Sequence, residues 1–332
     1  MNTVNTEGVM GKGIALQFKK AFPAMFDAYR KAAKAGEIRI GAMQVWATGQ
    51  LEDPRYVINF PTKKHWKAKS RLADIDEGLI DLVRVVRDLG IRSIAVPPLG
   101  CGNGGLDWRD VEPRIRAAFK QVQDVDVLLY APNGAPAAAE MSVATRRPEM
   151  NHNRAAFVET LYQYTRQAEM APGLIETQKL MYFLEVAGEP LKLQYSANRY
   201  GPYSDRLRHA LNAIEGHFIS GLGDGSAAVQ EAEPLTVLPD AAAEAEAQLA
   251  GAEPTRARIE RVLELAAGFE SAYGLELLAT VHWVASREAQ RDDEVAANVR
   301  AWSPRKARMF TPMHVSTALG ALRERGWLEP AA

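Results

Sequence analysis

The sequence is poor in the features that would place it outside the cell or in a membrane. Cys101 is the one cysteine among 332 residues. That excludes an internal disulfide and fits a reducing cytoplasm. No apolar run reaches the ~18 residues of a membrane span, so no membrane partner is expected. The start has no basic segment followed by an apolar one, so no secretion signal is expected. There is no Walker A loop and no Rossmann G-x-G-x-x-G fingerprint. No metal, cofactor or internal repeat is read from the residues.

What is present is an ordinary globular balance, with 47% hydrophobic and 24% charged residues in a length that fits two domains. The net charge of −1 hides an asymmetry. Residues 1–150 carry 22 Lys and Arg against 17 Asp and Glu, and residues 151–332 carry 18 against 24. A basic front half suits a polyanionic substrate, and an acidic back half suits a basic partner.

The front half alternates helix and strand. Helices are predicted near 13–35 with a break at Pro23, at 70–89 and at 109–122. Strands are predicted at 40–48, 55–61, 93–99 and 125–131. Short apolar strands between amphipathic helices predict a buried, largely parallel α/β sheet. Ligands of such sheets bind at the carboxyl ends of strands. The stretch 131–153 has turn formers and no periodicity, and reads as an interdomain linker. Residues 154–218 read as mostly helical, 221–255 as an acidic insertion or mobile connection, and helices follow near 256–269 and 274–287.

Three stretches carry chemistry. In "EGVMGKGIALQF", Gly8, Gly11 and Gly13 let backbone approach a ligand, the next helix offers unpaired N–H groups, and Lys12 adds charge. A generic tight turn would use the same residues. In "PPLGCGNGGLDW", four glycines in residues 100–105 precede a helix that Asp107 caps. Together the two loops fit a diphosphate held between them. Cys101 reads as a small packing residue, because no His-Asp pair stands near it to support thiolate chemistry. In "NFPTKKHW", lysines sit at a strand's carboxyl end. They are ordinary surface charges or, if desolvated beside other cations, a source of a nucleophilic amine. His65 is a proton shuttle or a packing or solvent-facing side chain.

These motifs, in this order and spacing, resemble the macrodomain of the DarG family, the antitoxins of DarT/DarG toxin–antitoxin systems. The resemblance spans residues 1 to about 135. It implies an α/β macrodomain of three layers, α/β/α, with a mixed sheet, which removes ADP-ribose from DNA bases modified by DarT. It implies that Lys63 is catalytic, as the second residue of the family's Thr-Lys pair, and that Thr62 binds ADP-ribose. It places Asn5 at the distal ribose, with Thr3 and Val4 also binding ADP-ribose. Gly8, Val9, Met10, Gly11, Lys12, Gly13 and Ile14 line the diphosphate and distal ribose, and Ala15 also binds ADP-ribose. Gly100, Cys101, Gly102, Asn103 and Gly104 form the second phosphate loop, and Tyr130 packs near the adenosine. Members of the family have a further strand upstream, with an acid that receives the adenine amino group. An N-terminally incomplete macrodomain is therefore expected.

The stretch 176–221, with "RYGPYS" as its sharpest piece, resembles the family's carboxyl-terminal half. That implies a mainly helical domain that binds and neutralises the toxin DarT. The expected organisation is a macrodomain at 1–135, a linker at 136–153 and a toxin-binding domain at 154–332. "TPMHVSTALGALRERGWLEP" (311–330) reads as a winged-helix-like ending. The expected partners are DarT, ADP-ribosylated and single-stranded DNA, and ADP-ribose as product. Two other readings use the same residues: a module that binds ADP-ribose without cleaving it, and a winged-helix transcriptional regulator. The terminal helix is poor in basic residues beyond Arg323 and Arg325, which disfavours the regulator.

Overall fold

The computed structural model describes residues 1–287 and 291–329. The chain forms two compact units. One holds Met1–Arg146 and Gly223–Ser226, and the other holds Arg147–Leu222 and the residues from Ala227 onward.

The first unit opens with β1 (Asn2–Asn5), followed by α1 (Ile14–Ala21) and α2 (Pro23–Lys34). The break lies where the sequence puts it. Pro23 suits the first position of a helix, where its missing N–H costs nothing, and it drives Phe22 out of helical geometry (φ −132°). β2 (Gln44–Ala47) and β3 (Tyr56–Lys63) follow, then α3 (Leu72–Asp88), β4 (Ser93–Val96), α4 (Trp108–Phe119) and β5 (Asp126–Leu129). β3 is the central strand of a mixed sheet, parallel to β1 and antiparallel to β2. β4 and β5 form a parallel pair. The Met1 nitrogen donates to the Ala95 carbonyl at 2.9 Å and brings β1 beside β4.

Alternation along β3 creates two cores. Val57 joins Val4, Met10, Met25, Tyr29 and Ile38 beneath α1 and α2. Ile58 and Phe60 face the other way, against Ile75, Leu79, Leu82 and Val86 of α3. Helices thus cover both faces, the three-layer arrangement of a macrodomain. Gly78 lets α3 lie directly on Phe60, since a Cβ there would sit 2.2 Å from the ring. A buried row of amides crosses the sheet: Asn2 Nδ2 donates to Asn59 Oδ1 at 2.9 Å, and Asn59 Nδ2 donates to Gln44 Oε1 at 2.9 Å. Asn59 pairs with both residues in the strand register, so a slip of either strand would break buried hydrogen bonds.

The second unit is mainly helical: α5 (His152–Ala168), α6 (Leu174–Val186), a hairpin of β6 (Ser196–Asn198) and β7 (Gly201–Tyr203), and α7 (Asp205–Ile214). A short pair follows, β8 (Ile219–Ser220) with β9 (Thr236–Val237), and then α8 (Pro239–Gln248), α9 (Glu253–Ala266) and α10 (Ala272–Arg287). The last elements are α11 (Asp292–Ala301), α12 (Pro304–Met309) and α13 (Pro312–Glu324). α8 differs from the expected insertion or mobile connection over 221–255. Its buried face is made of Ala241 and Ala245, both 0% exposed, so it packs while adding little apolar contrast to the sequence. Thr311 caps α13 by accepting from the His314 N–H, as its sequence suggests. The described residues after α13 form no strand, and Pro330, at the end of the quoted stretch, lies outside them.

The "RYGPYS" turn is pinned from beneath. Gly201 has φ 85°, and a Cβ there would lie 2.7 Å from Thr280 Oγ1. Lys179, 1% exposed, donates from Nζ to the Pro202 carbonyl at 2.6 Å. Close by, Lys306 Nζ bonds Glu276 at 2.7 Å and Thr280 at 2.9 Å, and Arg305 bonds the same carboxylate. Burial, with the Lys306 charge second, pushes the Lys179 amine down to about 7. Between that value and the ordinary 10.5, the unfolded chain holds a proton that the folded chain has lost. Unfolding therefore takes up a proton, and stability from this group rises with pH across that window. The melting temperature is expected to climb from about pH 7 to about pH 9, and Lys179→Met is expected to flatten the climb. Parallel curves for the two proteins would remove Lys179 as the cause.

Candidate functional site

Because β1 and β3 run parallel, their carboxyl ends emerge at one edge. A register shift between Val4 and Asn5 sets Asn5 opposite Lys63. Val4 and Met10 turn their side chains into the core, at 3% and 2% exposure, so at these positions the stretch offers backbone only. Thr3 is half-buried on β1. The Asn5 side chain shapes the loop that follows. Its Nδ2 donates to the Val9 carbonyl at 2.6 Å, and its Oδ1 accepts from the Glu7 and Val9 N–H groups at 3.0 and 3.3 Å. The buried Tyr29 hydroxyl donates to the Asn5 carbonyl at 2.5 Å. Gly8 has φ 82°, and a Cβ there would lie 3.1 Å from the Ala33 methyl. Val9, Gly11 and Lys12 are exposed, Gly13 precedes α1 at φ 65°, and Ile14 and Ala15 form its half-buried first turn.

The second loop folds on itself. The Leu106 N–H donates to the Gly100 carbonyl at 3.1 Å. A Cβ on Gly104 would lie 2.4 Å from that oxygen and 2.3 Å from Ser70 Oγ, so only glycine fits. Gly102 is exposed and its Cβ direction is open for 4 Å. Burial, with Asp107 adding to it, pushes the Cys101 thiol up to about 11, so it stays protonated and fits the packing role. Asn103 is where the three motifs meet. Its carbonyl accepts from Lys63 Nζ at 3.3 Å, and its Nδ2 lies 3.1 Å from where a Cβ on Gly13 would be.

Thr62 is buried, its hydroxyl 3.4 Å from the Val4 carbonyl. Lys63 is half-buried, and burial first and the Lys69 charge second hold its amine below the usual lysine range. A larger share of neutral amine is therefore present at a given pH. The glycine-rich loop is fastened to the segment after β3. Thr6 donates to the Lys64 carbonyl from both N–H and Oγ1 at 3.0 Å, and Glu7 pairs with His65 at 3.6 Å. Tyr130, 56% exposed, follows β5 and donates its N–H to the Val96 carbonyl. Among the described residues, no three His, Cys, Asp or Glu side chains gather as a metal would require, and no helix is long and apolar enough to cross a membrane.

Sequence reasoning missed four supports of this site. Tyr29 sits in an apolar helix face and carries no local sign of its bond to Asn5. Glu7 and Lys69 each act on a partner across a turn. Asp224 comes from far along the chain. Its carbonyl accepts from the Gly13 N–H at 2.9 Å and its carboxylate from Gln17 Nε2 at 2.9 Å, at the start of α1. The signal was present in "GLGDGS": an Asp between two glycines, both at positive φ, accepting from the Ser226 N–H at 2.8 Å.

The Macro domain family matches the chain over residues 1–115. The DNA ADP-ribosyl glycohydrolase of Mycobacterium tuberculosis (strain ATCC 25618 / H37Rv) is 49% identical over 331 residues, covering 96% of this chain and 93% of that protein. The protein of the same name from Thermus aquaticus (strain ATCC BAA-2747 / Y51MC23) is 44% identical over 331 residues, covering 99% and 90%. A DNA ADP-ribosyl transferase-DNA ADP-ribosyl glycohydrolase fusion protein of Thermosipho africanus (strain H17ap60334) is 34% identical over 145 residues, covering 39% and 37%. Similarity along nearly the whole length of two such relatives, together with a macrodomain fold, leads to one conclusion: the chain belongs to the DarG family of DNA ADP-ribosyl glycohydrolases.

Proposed function

We propose that the chain hydrolyses the N-glycosidic bond between ADP-ribose and a DNA base, and that its second unit binds and neutralises the cognate DNA ADP-ribosyltransferase, DarT. The observation that carries the first part is the position of Lys63. It ends the central strand, faces Asn5, and reaches the second glycine loop through Asn103. The segments Gly8–Ala15 and Gly100–Gly104 cradle the diphosphate with those backbone N–H groups not already bonded, as Val9 is to Asn5 and Gly13 to Asp224, and Asn5 fixes the loop at the distal ribose. Breaking the bond to the base develops positive charge on the sugar, which a neutral amine tolerates better than a fixed cation. Either the amine attacks the anomeric carbon and displaces the base, which takes up a proton as it leaves, and water then cleaves the ribosyl-lysine bond; or the amine polarises the ribose while water attacks that carbon directly and the protonated base departs. Free ADP-ribose and the unmodified base are the products. A cytoplasmic setting fits such a substrate and the lone thiol.

The Thermosipho relative, which joins a transferase and a glycohydrolase in one protein, supports the second part. So does the acidic back half, whose charge suits the basic groove of an enzyme that handles DNA. The whole chain, incubated with an ADP-ribosylated single-stranded oligonucleotide, is expected to release free ADP-ribose. If calorimetry shows ADP-ribose binding but no release follows, the chain is a binding module. Co-purified DarT is expected to stay bound at low salt and to dissociate as salt rises. Absence of any complex would overturn the neutralising role.

A further inference from the structure

The residues just beyond Lys63 are unlike the rest of the site's rim. Residues 63–71, KKHWKAKSR, carry five Lys or Arg and no acid. Lys64, His65, Trp66, Lys67 and Lys69 are all exposed. Trp66 is 47% exposed, a large apolar ring that the fold leaves in water. It has neighbours there. His65 stacks on it at 5.6 Å with 24° between the planes, and Lys67 Nζ lies over the ring at 4.8 Å. Glu7 holds the far edge of His65, and the two Thr6 bonds fix the backbone at Lys64. The stack is thereby tied to the same loop that Asn5 shapes. Arg71 is spent on Asp74, at 2.5 Å. Among the described residues, Lys64, Lys67 and Lys69 form no ion pair.

A core ring would be covered, and a ring exposed by accident would have no built support. Here an aromatic pair and three cations without an acidic partner among the described residues stand at the carboxyl end of the strand that delivers Lys63. Aromatic faces bind nucleobases through stacking, and lysines beside them bind the phosphates between the bases. Base faces are open only in a single strand. An acidic peptide would satisfy the lysines but leave the ring unused.

We propose that Trp66, stacked on His65 and flanked by Lys64, Lys67 and Lys69, is the platform that holds the single-stranded DNA next to the modified base. A base that extends the stack takes the place of the Lys67 ammonium over the ring, and that ammonium moves to the adjoining phosphate. The inference rests on the DNA substrate proposed above. It gives the glycohydrolase a way to tell a modified strand from free ADP-ribose, which lacks the neighbouring bases.

The test uses the whole chain, a fluorescent unmodified oligothymidylate, and the same oligonucleotide carrying ADP-ribose. Wild type is expected to bind the unmodified strand. Trp66→Ala is expected to weaken that binding about tenfold or more and to raise KM for the modified strand alike with kcat held, and Trp66→Phe to recover most of both. ADP-ribose affinity measured by calorimetry is expected to stay level. Equal strand binding by wild type and Trp66→Ala would overturn the platform. So would a parallel loss of ADP-ribose affinity, a failure of Trp66→Phe to recover binding, or equal displacement of the strand by a polyglutamate of matched charge. Trp66-dependent strand binding in a chain that releases no ADP-ribose would uphold the platform and overturn the glycohydrolase mechanism alone.

Discussion

Lys63→Ala is expected to reduce release of ADP-ribose from modified DNA by at least about a hundredfold, the scale lost when a positioned acid–base group is removed. ADP-ribose binding is expected to survive largely intact. The cradle is built from the backbone of two loops, and neither depends on this side chain for its shape. The Asn103 carbonyl loses one bond at 3.3 Å, but that residue is exposed and water replaces the donor. Lys64→Ala is the control. Thr6 bonds the Lys64 carbonyl, which alanine keeps, so the loop stays fastened; kcat is expected to hold, and the loss of a strand-facing cation falls on KM alone. Release assays on one oligonucleotide, with calorimetry on each variant, separate catalysis from binding. Near-normal release by Lys63→Ala would remove this amine from the mechanism.

Gly102→Glu is expected to lower ADP-ribose affinity at least about tenfold, about 1.4 kcal/mol, without unfolding the chain. The position separates the two effects cleanly. Nothing lies within 4 Å of its Cβ direction, so a side chain has room. Its carboxylate then stands in a loop meant for a diphosphate, where like charges repel. Gly104 is the wrong place for this experiment, because even a methyl there would collide with the Gly100 carbonyl and Ser70. A folded Gly102→Glu chain with unchanged affinity in calorimetry would show that this loop is not the cradle.

The two glycine loops and the lysine strand end could be read from the sequence because each is local. Glycine and lysine announce themselves wherever the chain puts them, and the Pro23 break needs only the geometry of one residue. What escaped reading is what depends on distance. The shift that sets Asn5 opposite Lys63 belongs to a strand pair separated by more than fifty residues of chain. The meeting of Gly13 with Asn103 requires the whole sheet between them. Tyr29 looks like any apolar helix residue until its hydroxyl is placed. α8 was missed for another reason. Alanine contributes a small buried surface, so a helix that packs on alanine methyls looks, in composition, like an acidic connection. The amide row of Asn2, Asn59 and Gln44 was equally silent, because buried amides look polar in sequence and pair only once the strands align.

The tetrapeptide Gly223–Ser226 bears on how such chains can be recombined. It folds with the first unit, yet it is encoded within the second half. A crossover at Arg146 would take Gly13 and Gln17 from one parent and Asp224 from the other. The Gly13 N–H, just before α1, needs only a backbone carbonyl there, but the Gln17 amide in the first turn would face an unmatched side chain. Shuffling the two halves between relatives therefore has a compatibility condition that no linker meets. The incoming half must bring a loop of the same shape to Gly13 and an acid on it for Gln17, or the exchange leaves that amide without its partner.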